Sequence, residues 1–216
     1  MRVVIAGGHG QIALRLTTLL AERGDLAVGI VRNPDHVEDV RKAGGDAVVL
    51  DLESATVDEV TAALAGADAA VFAAGAGPGS GAARKDTVDR AASVLFADAA
   101  EAAEVRRFLQ VSGMGLDRAD DPSMDEVFAA YLRAKDAADR EVMARTGLDW
   151  TILRPGRLTN DPGTGTVTLD DHVPPGAVTR DDVAAVLVAL LDRPGTAGRV
   201  LELVGGDTPI DVALGA

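Results

Sequence analysis

The chain has 216 residues, a length that suits one α/β domain and leaves two cramped. Hydrophobic residues make up 47% but aromatics only 3%, so the core must be filled by Ala, Val, Leu and Ile, as in buried parallel strands under alanine-rich helices. A formal charge of -13 argues against nucleic acid or an anionic membrane as partner, and the absence of cysteine removes disulfides, thiolate metal sites and thiol catalysis.

The three histidines, His9, His36 and His172, lie too far apart in sequence for a local metal motif, so no metal is expected. No charged leader precedes the first strand, and no run approaches the roughly 18 apolar residues of a membrane span. The expectation is therefore a cytoplasmic protein, monomer or homodimer, whose partner is a small-molecule substrate.

In chain order, β-type runs fall at Arg2–Ala6, Leu26–Val31, Ala47–Leu50, Ala69–Ala73, Arg107–Val111, Trp150–Leu153 and Val200–Leu203. Helical stretches separate them: Gln11–Arg23, Pro34–Ala43, Thr56–Leu64, Ala82–Ala103, Met124–Arg145 and Arg180–Leu191, several stopped by a glycine such as Gly24, Gly44, Gly66 or Gly147. Strand followed by helix, repeated, gives crossovers and a parallel sheet, so the fold class is α/β with a doubly wound sheet, in one domain over residues 1–216. Ser123 and Glu126 have the spacing of a capping box for the helix near Met124. Residues 112–123 and 156–178 break the repeating pattern after strands, where ligands bind in such sheets, and are expected to wall or cover a pocket.

Directly after the first strand comes Gly7-Gly8-His9-Gly10-Gln11-Ile12-Ala13, with the next helix opening inside it. Glycine lets the chain turn sharply and lets backbone approach a diphosphate, a small Ala13 lets the helix sit close to the strand, and the helix N-terminus offers free amides. Strand, glycine loop, helix and a second strand ending about 20 residues on make a dinucleotide-binding fingerprint of the Rossmann type. Gly7, Gly10, Gln11 and Ile12 are the expected diphosphate contacts. Where an NAD site often has Asp or Glu, this chain has Arg32, which can pair with a 2′-phosphate, so NADP(H) is preferred over NAD(H). Asp51, Leu52, Ala73, Ala74 and Gly75 would border the adenine and ribose.

Tyr131, the only tyrosine, stands four residues before Lys135 and so on the same helix face. A neighbouring ammonium favours the phenolate, which would lower the tyrosine pKa and suit it to proton transfer. Asp181 and Asp182 open the late helix and fit its dipole better than a catalytic role, Arg154 has a structural reading, and Trp150, the only tryptophan, reads as core.

These features together resemble the short-chain dehydrogenase/reductase superfamily, and more closely its atypical branch of small NAD(P)H-binding proteins. The resemblance covers nearly the whole chain and rests on the Gly7–Ala13 loop, Arg32, Phe108–Gly115, the Tyr131/Lys135 pair, Leu153-Arg154-Pro155-Gly156 and Glu202–Gly206. It implies Tyr131 as general acid for a carbonyl oxygen, Lys135 as ribose ligand, Ser112 as the hydroxyl that orients substrate, and Pro155 and Gly156 as contacts at the nicotinamide end. Relatives often carry two adjacent serines where this chain has Ser112-Gly113, so the triad is incomplete if the second is the orienting one. The resemblance thus implies an NADPH-dependent oxidoreductase acting on a carbonyl, quinone or flavin-like acceptor. A non-catalytic NADP(H)-binding or redox-sensing protein is the second reading, and a nucleotide-sugar epimerase ranks below both.

Overall fold

The computed structural model describes residues 1–75, 77 and 84–215. The chain runs β1 (Arg2–Ala6), α1 (Gln11–Glu22), β2 (Leu26–Val31), α2 (Val37–Lys42), β3 (Asp46–Val49), α3 (Val57–Leu64) and β4 (Ala69–Phe72). A π-helical turn, Lys85–Ala91, leads into α4 (Ala92–Ala102), followed by β5 (Arg107–Val111), α5 (Glu126–Met143) and β6 (Asp149–Pro155). Then come β7 (Arg157–Thr159), β8 (Thr166–Asp170), β9 (Ala177–Thr179), α6 (Arg180–Leu191), β10 (Arg199–Gly205), β11 (Thr208–Pro209) and α7 (Ile210–Ala213).

One nine-stranded sheet has the order β11-β8-β10-β6-β5-β4-β1-β2-β3. From β3 across to β10 every pair is parallel, as the alternation of strand and helix requires. Ala6 at the end of β1 sits opposite both Ile30 and Phe72, so the order reverses at β1, and the cleft this opens lies beyond the carboxyl ends of the strands.

Both sheet faces are covered, which explains why the strands read as unbroken apolar runs. Val3 and Ile5 pack with Leu16, Leu20 and Leu187 on one side, while Val4 and Ala6 pack with Phe72, Phe96 and Phe108 on the other. The three rings of that second layer meet at centroid distances of 6.1 and 5.8 Å. At the opposite, amino end of the sheet, buried Arg107 donates to the Asp149 and Leu190 carbonyls and to Thr151 and Thr196, tying β5 to β6 and to the end of α6. Burial lowers its guanidinium pKa to about 10, against the pull of Asp149.

All seven expected strands are present, displaced by at most two residues at an end. The helix expected over 82–103 divides into the π turn and α4; Ala82 and Ala83 lie outside the described residues. Ser123 and Glu126 do not form a capping box. Asp125 caps α5 instead, accepting from Phe128 N at 2.9 Å, because its charged carboxylate stands directly before the helix, while Ser123 turns back to Asp121.

The larger correction falls between 156 and 178, which is strand-rich rather than irregular. β7 and β9 pair in parallel, and β8 extends the main sheet antiparallel to β10, with β11 beyond it. Gly156 is needed there because a Cβ would overlap the Gly176 carbonyl oxygen.

Candidate dinucleotide and proton-transfer site

The glycine loop is shaped by close backbone approach on two sides. Gly7 has φ +77°, and a Cβ there would come 2.6 Å from Ala74 Cα; a Cβ on Gly8 would come 2.5 Å from Gly29 Cα. Gly10 N donates to Gly7 O at 2.8 Å and closes the turn. α1 then starts with no side-chain cap and no acid in its first turn, so its amide dipoles are not neutralised locally. Gln11 is exposed at that first turn, while Ile12 and Ala13 are buried beneath it.

A cleft of about 300 Å³ opens above this loop. It gathers Gly7, Gly10, Arg32, Asp51, Leu52, Ala73, Ala74 and Gly75, eight positions assigned to the cofactor from sequence. Pro155 and Gly156 stand at the end of β6, outside that cleft.

The rim carries groups that sequence reasoning did not single out. Glu53 accepts from Arg32 at 2.9 Å, from Arg84 at 2.8 Å and from Thr87 at 2.8 Å. The hydrogen bond from Arg84, with Thr87 and the charge of Arg32 behind it, holds the Glu53 carboxyl below the usual range despite partial burial. The rings of His9 and His36 stack at 3.6 Å, and His9 Nε2 lies 3.0 Å from Asp39. None of these contacts has a local sequence signal; each joins residues brought together by the sheet.

At the chemistry end, α5 presents Tyr131, Lys135 and Asp139 at four-residue spacing on one face. The Tyr131 ring stacks on Phe128 and packs among Leu116, Ala119, Leu132 and Met124. Buried Lys135 donates to Val111 O at 3.2 Å and pairs with Asp89 at 3.3 Å. Asp139 is fully buried and accepts from Gln110 at 2.7 Å, Ser112 at 2.9 Å and Arg154 at 2.9 Å.

Two expectations change here. The Ser112 hydroxyl is directed into Asp139, whereas the residue facing the phenol is Gly113, whose Cβ would stand 3.4 Å from Tyr131 Oη. The Tyr131 phenol is moved up rather than down: burial raises it most, Lys135 pulls it down, and Asp89 and Asp139 push it back up. The structural reading of Arg154 holds, since it is the partner of Asp139 at 2.8 Å. Asp181 and Asp182 do lie in the first turn of α6, where Asp182 also accepts from the Thr164 and Gly165 amides.

A second cavity, about 570 Å³, lies against the other face of α5 and is lined by Arg133, Asp136, Arg140, Arg154, His172 and Glu202 among others. Its arginines are paired: Arg140 with Asp136 and Arg133 with Asp120 inside it, and Arg154 with Asp139 outside its lining. Among the described residues no group of three or more His, Cys, Asp or Glu could hold a metal ion, and no helix is long and apolar enough to cross a membrane.

A glycine turn under an uncapped helix, set where the strand order of a doubly wound sheet reverses, defines the class: a dinucleotide-binding protein of the Rossmann fold. The chain belongs to the NAD(P)H-binding family, whose family model matches residues 7–194. It is 36% identical over 215 residues to YhfK of Bacillus subtilis (strain 168), named an uncharacterized sugar epimerase, with 99% of each chain covered. Among solved structures it is similar to a Bacillus halodurans protein named as a candidate NAD-dependent epimerase/dehydratase, with TM-score 0.91, 37% identity and coverage of 99% of this chain and 98% of that one. It is similar also to the oxidoreductase ylbE of Lactococcus lactis, with TM-score 0.84, 30% identity and coverage of 99% and 95%.

Proposed function

We propose that the protein is an NADPH-dependent oxidoreductase of the atypical short-chain type that reduces a small carbonyl, quinone or flavin-like acceptor, with Tyr131 as proton donor. The observation that carries this reading is the placement of Tyr131 beside Lys135 on α5, with Lys135 linked through Asp89 to the Gly75 end of the cleft. Bound NADPH would supply the hydride. The Gly7–Gly10 turn and the amides of Gln11 and Ile12 would grip the diphosphate, while Asp51, Leu52, Ala73, Ala74 and Gly75 would flank adenine and ribose. Pro155 and Gly156 would border the nicotinamide end, and Lys135 would hold the nearby ribose. The acceptor would lie between residues 112–123 and 156–178 of a single unit, and the cytoplasm is its proposed location.

Arg32 and Arg84 at the cleft rim support a preference for the 2′-phosphate. Tyr131 would pass its proton to the acceptor's oxygen or nitrogen. Ser112, already donating to Asp139, would act by holding the loop, and Gly113 adds no hydroxyl. That arrangement suits electron-poor quinones and flavins, which need less help from an acid than a ketone does.

The same lack of a second hydroxyl favours the alternative of a non-catalytic NADP(H) sensor. Titration with NADPH and NADH, followed by a screen of quinones, flavins and small ketones, separates the two. Turnover that falls sharply in Tyr131→Phe supports the reductase. Nucleotide binding without turnover in either form supports the sensor, and no binding of either nucleotide refutes both.

A further inference from the structure

The reaction outlined above gives the buried carboxylate of Asp89 no chemical role. Asp89, 1% exposed, stands 3.3 Å from the ammonium of Lys135, itself 4% exposed. Charges this deep are retained only when paired. The π-helical turn Lys85–Ala91 brings Asp89 there, pressing its Oδ1 so close to β4's end that a Cβ on Gly75 would lie 3.1 Å from it.

The charged groups around Tyr131 can be set out element by element. From α5 come Lys135 and Asp139, the latter matched by Arg154 of β6; from the π turn comes Asp89. Leu116, Ala119 and Leu132 pack against Tyr131, Gly113 faces its hydroxyl, and β4 places the Phe72 ring 5.9 Å from the ammonium. Among the described residues Lys135 is thus the cation that acts on the phenol directly, and Asp89 counters it.

We infer that Asp89 is a positioning residue that neutralises Lys135 and so, alongside burial, offsets the ammonium's pull on the Tyr131 phenol, favouring proton donation and hence reduction. The inference rests on Tyr131 being the proton donor. In reduction of a ketone, the carbonyl carbon gains a hydride with its two electrons, the oxygen takes the proton from Tyr131 Oη, and NADPH becomes NADP⁺. The phenolate left behind recovers a proton from water. The reverse oxidation needs that phenolate at the outset, to take the alcohol's proton while hydride returns to NADP⁺, and burial and the Asp89 carboxylate both disfavour it.

Because Tyr131 is the only tyrosine, the ultraviolet absorbance of tyrosinate during alkaline titration reads this one group in the whole protein, without substrate or cofactor. Asp89→Asn is expected to lower the midpoint by roughly one unit, the order of effect of one nearby charge, because the pull of Lys135 is then unopposed by Asp89. Lys135→Met should raise it, and the two together should return it close to the wild type. An Asp89→Asn midpoint that stays or rises overturns the inference. If that variant does not fold, Lys135→Met alone is compared with the double substitution, since removing both members of a buried pair is better tolerated than removing one. Adding Asp89→Asn to Lys135→Met must then lower the midpoint, and no change overturns the inference equally. Full turnover by Tyr131→Phe would instead refute Tyr131 as proton donor and leave the titration result standing.

Discussion

Gly113 faces the hydroxyl of Tyr131, and a side-chain carbon on residue 113 would touch Oη at 3.4 Å, an ordinary contact distance. The Cβ of a serine there would meet no other heavy atom within 4 Å beyond its chain neighbours, and on the proposed reading its hydroxyl would bring a second donor to the acceptor's oxygen. Gly113→Ser is expected to raise kcat for small ketones by about tenfold or more, the scale of one added donor at a developing oxyanion. Quinone or flavin reduction should change little. Steady-state rates on one ketone and one quinone check it, and an unchanged ketone rate would sink the idea.

Glu53 lies between Arg32 and Arg84 and occupies both guanidinium groups. Removing its charge while keeping its shape, as in Glu53→Gln, should free them for a phosphate and tighten NADPH severalfold while leaving NADH nearly unchanged. Arg32→Ala should do the reverse, weakening NADPH alone. The Glu53 carboxyl is held below the usual value of about 4.5, with Arg84 the first cause, so it is ionised throughout the neutral range and the substitution's effect should not vary there with pH. Calorimetric titration with both nucleotides measures each change.

Gly8 has backbone on its far side, the Cα and carbonyl carbon of Gly29 standing 2.5 and 2.8 Å from where a Cβ would be. Neither atom can give way by rotating a side chain. Gly8→Ala should therefore cost about 1–3 kcal/mol of stability and weaken both nucleotides together, because the loop is pushed from β2. Denaturant unfolding with a parallel binding titration tests it, and wild-type values in both would contradict the close approach.

Burial sets the sign of an alkaline effect on stability. The folded phenol of Tyr131 ionises above its unfolded value of about 10, with burial the largest cause. Above that pH the unfolded chain loses a proton that the folded chain keeps, so this contribution is complete below about 10 and declines as pH rises towards the folded value. Tyr131→Phe should remove that part of the decline. Melting curves of both proteins at rising pH should diverge only above about 10; parallel curves would contradict the raised phenol.

The sequence made the frame legible because both faces of the sheet are buried, so Val3 to Ala6 or Phe108 to Val111 read as apolar runs between helical periods. The glycine loop and the Tyr131/Lys135 spacing were legible because each is local. Asp139 could have been found from the same helical step that links Tyr131 to Lys135, since it lies four residues further on. Asp89 could not: its meeting with Lys135 depends on a turn wound differently from the helix it leads into. Glu53, Arg84 and the His9–His36 stack join separate crossovers and leave no spacing to read. The strands between 157 and 179 were hidden by their shortness and their Thr, Pro and Gly content, although Val167 and Leu169 do alternate in β8.

The winding of Lys85–Ala91 makes the count of residues matter as much as their kind. Loss of a single residue between Asp89 and Ala92 would carry that carboxylate about 100° around the axis and leave the buried Lys135 ammonium with the Val111 carbonyl but without its Asp89 partner. A frame slip of one position here would act as Asp89→Asn does, leaving the nucleotide cleft's glycine turn in place while unmaking the electrostatics of its far end.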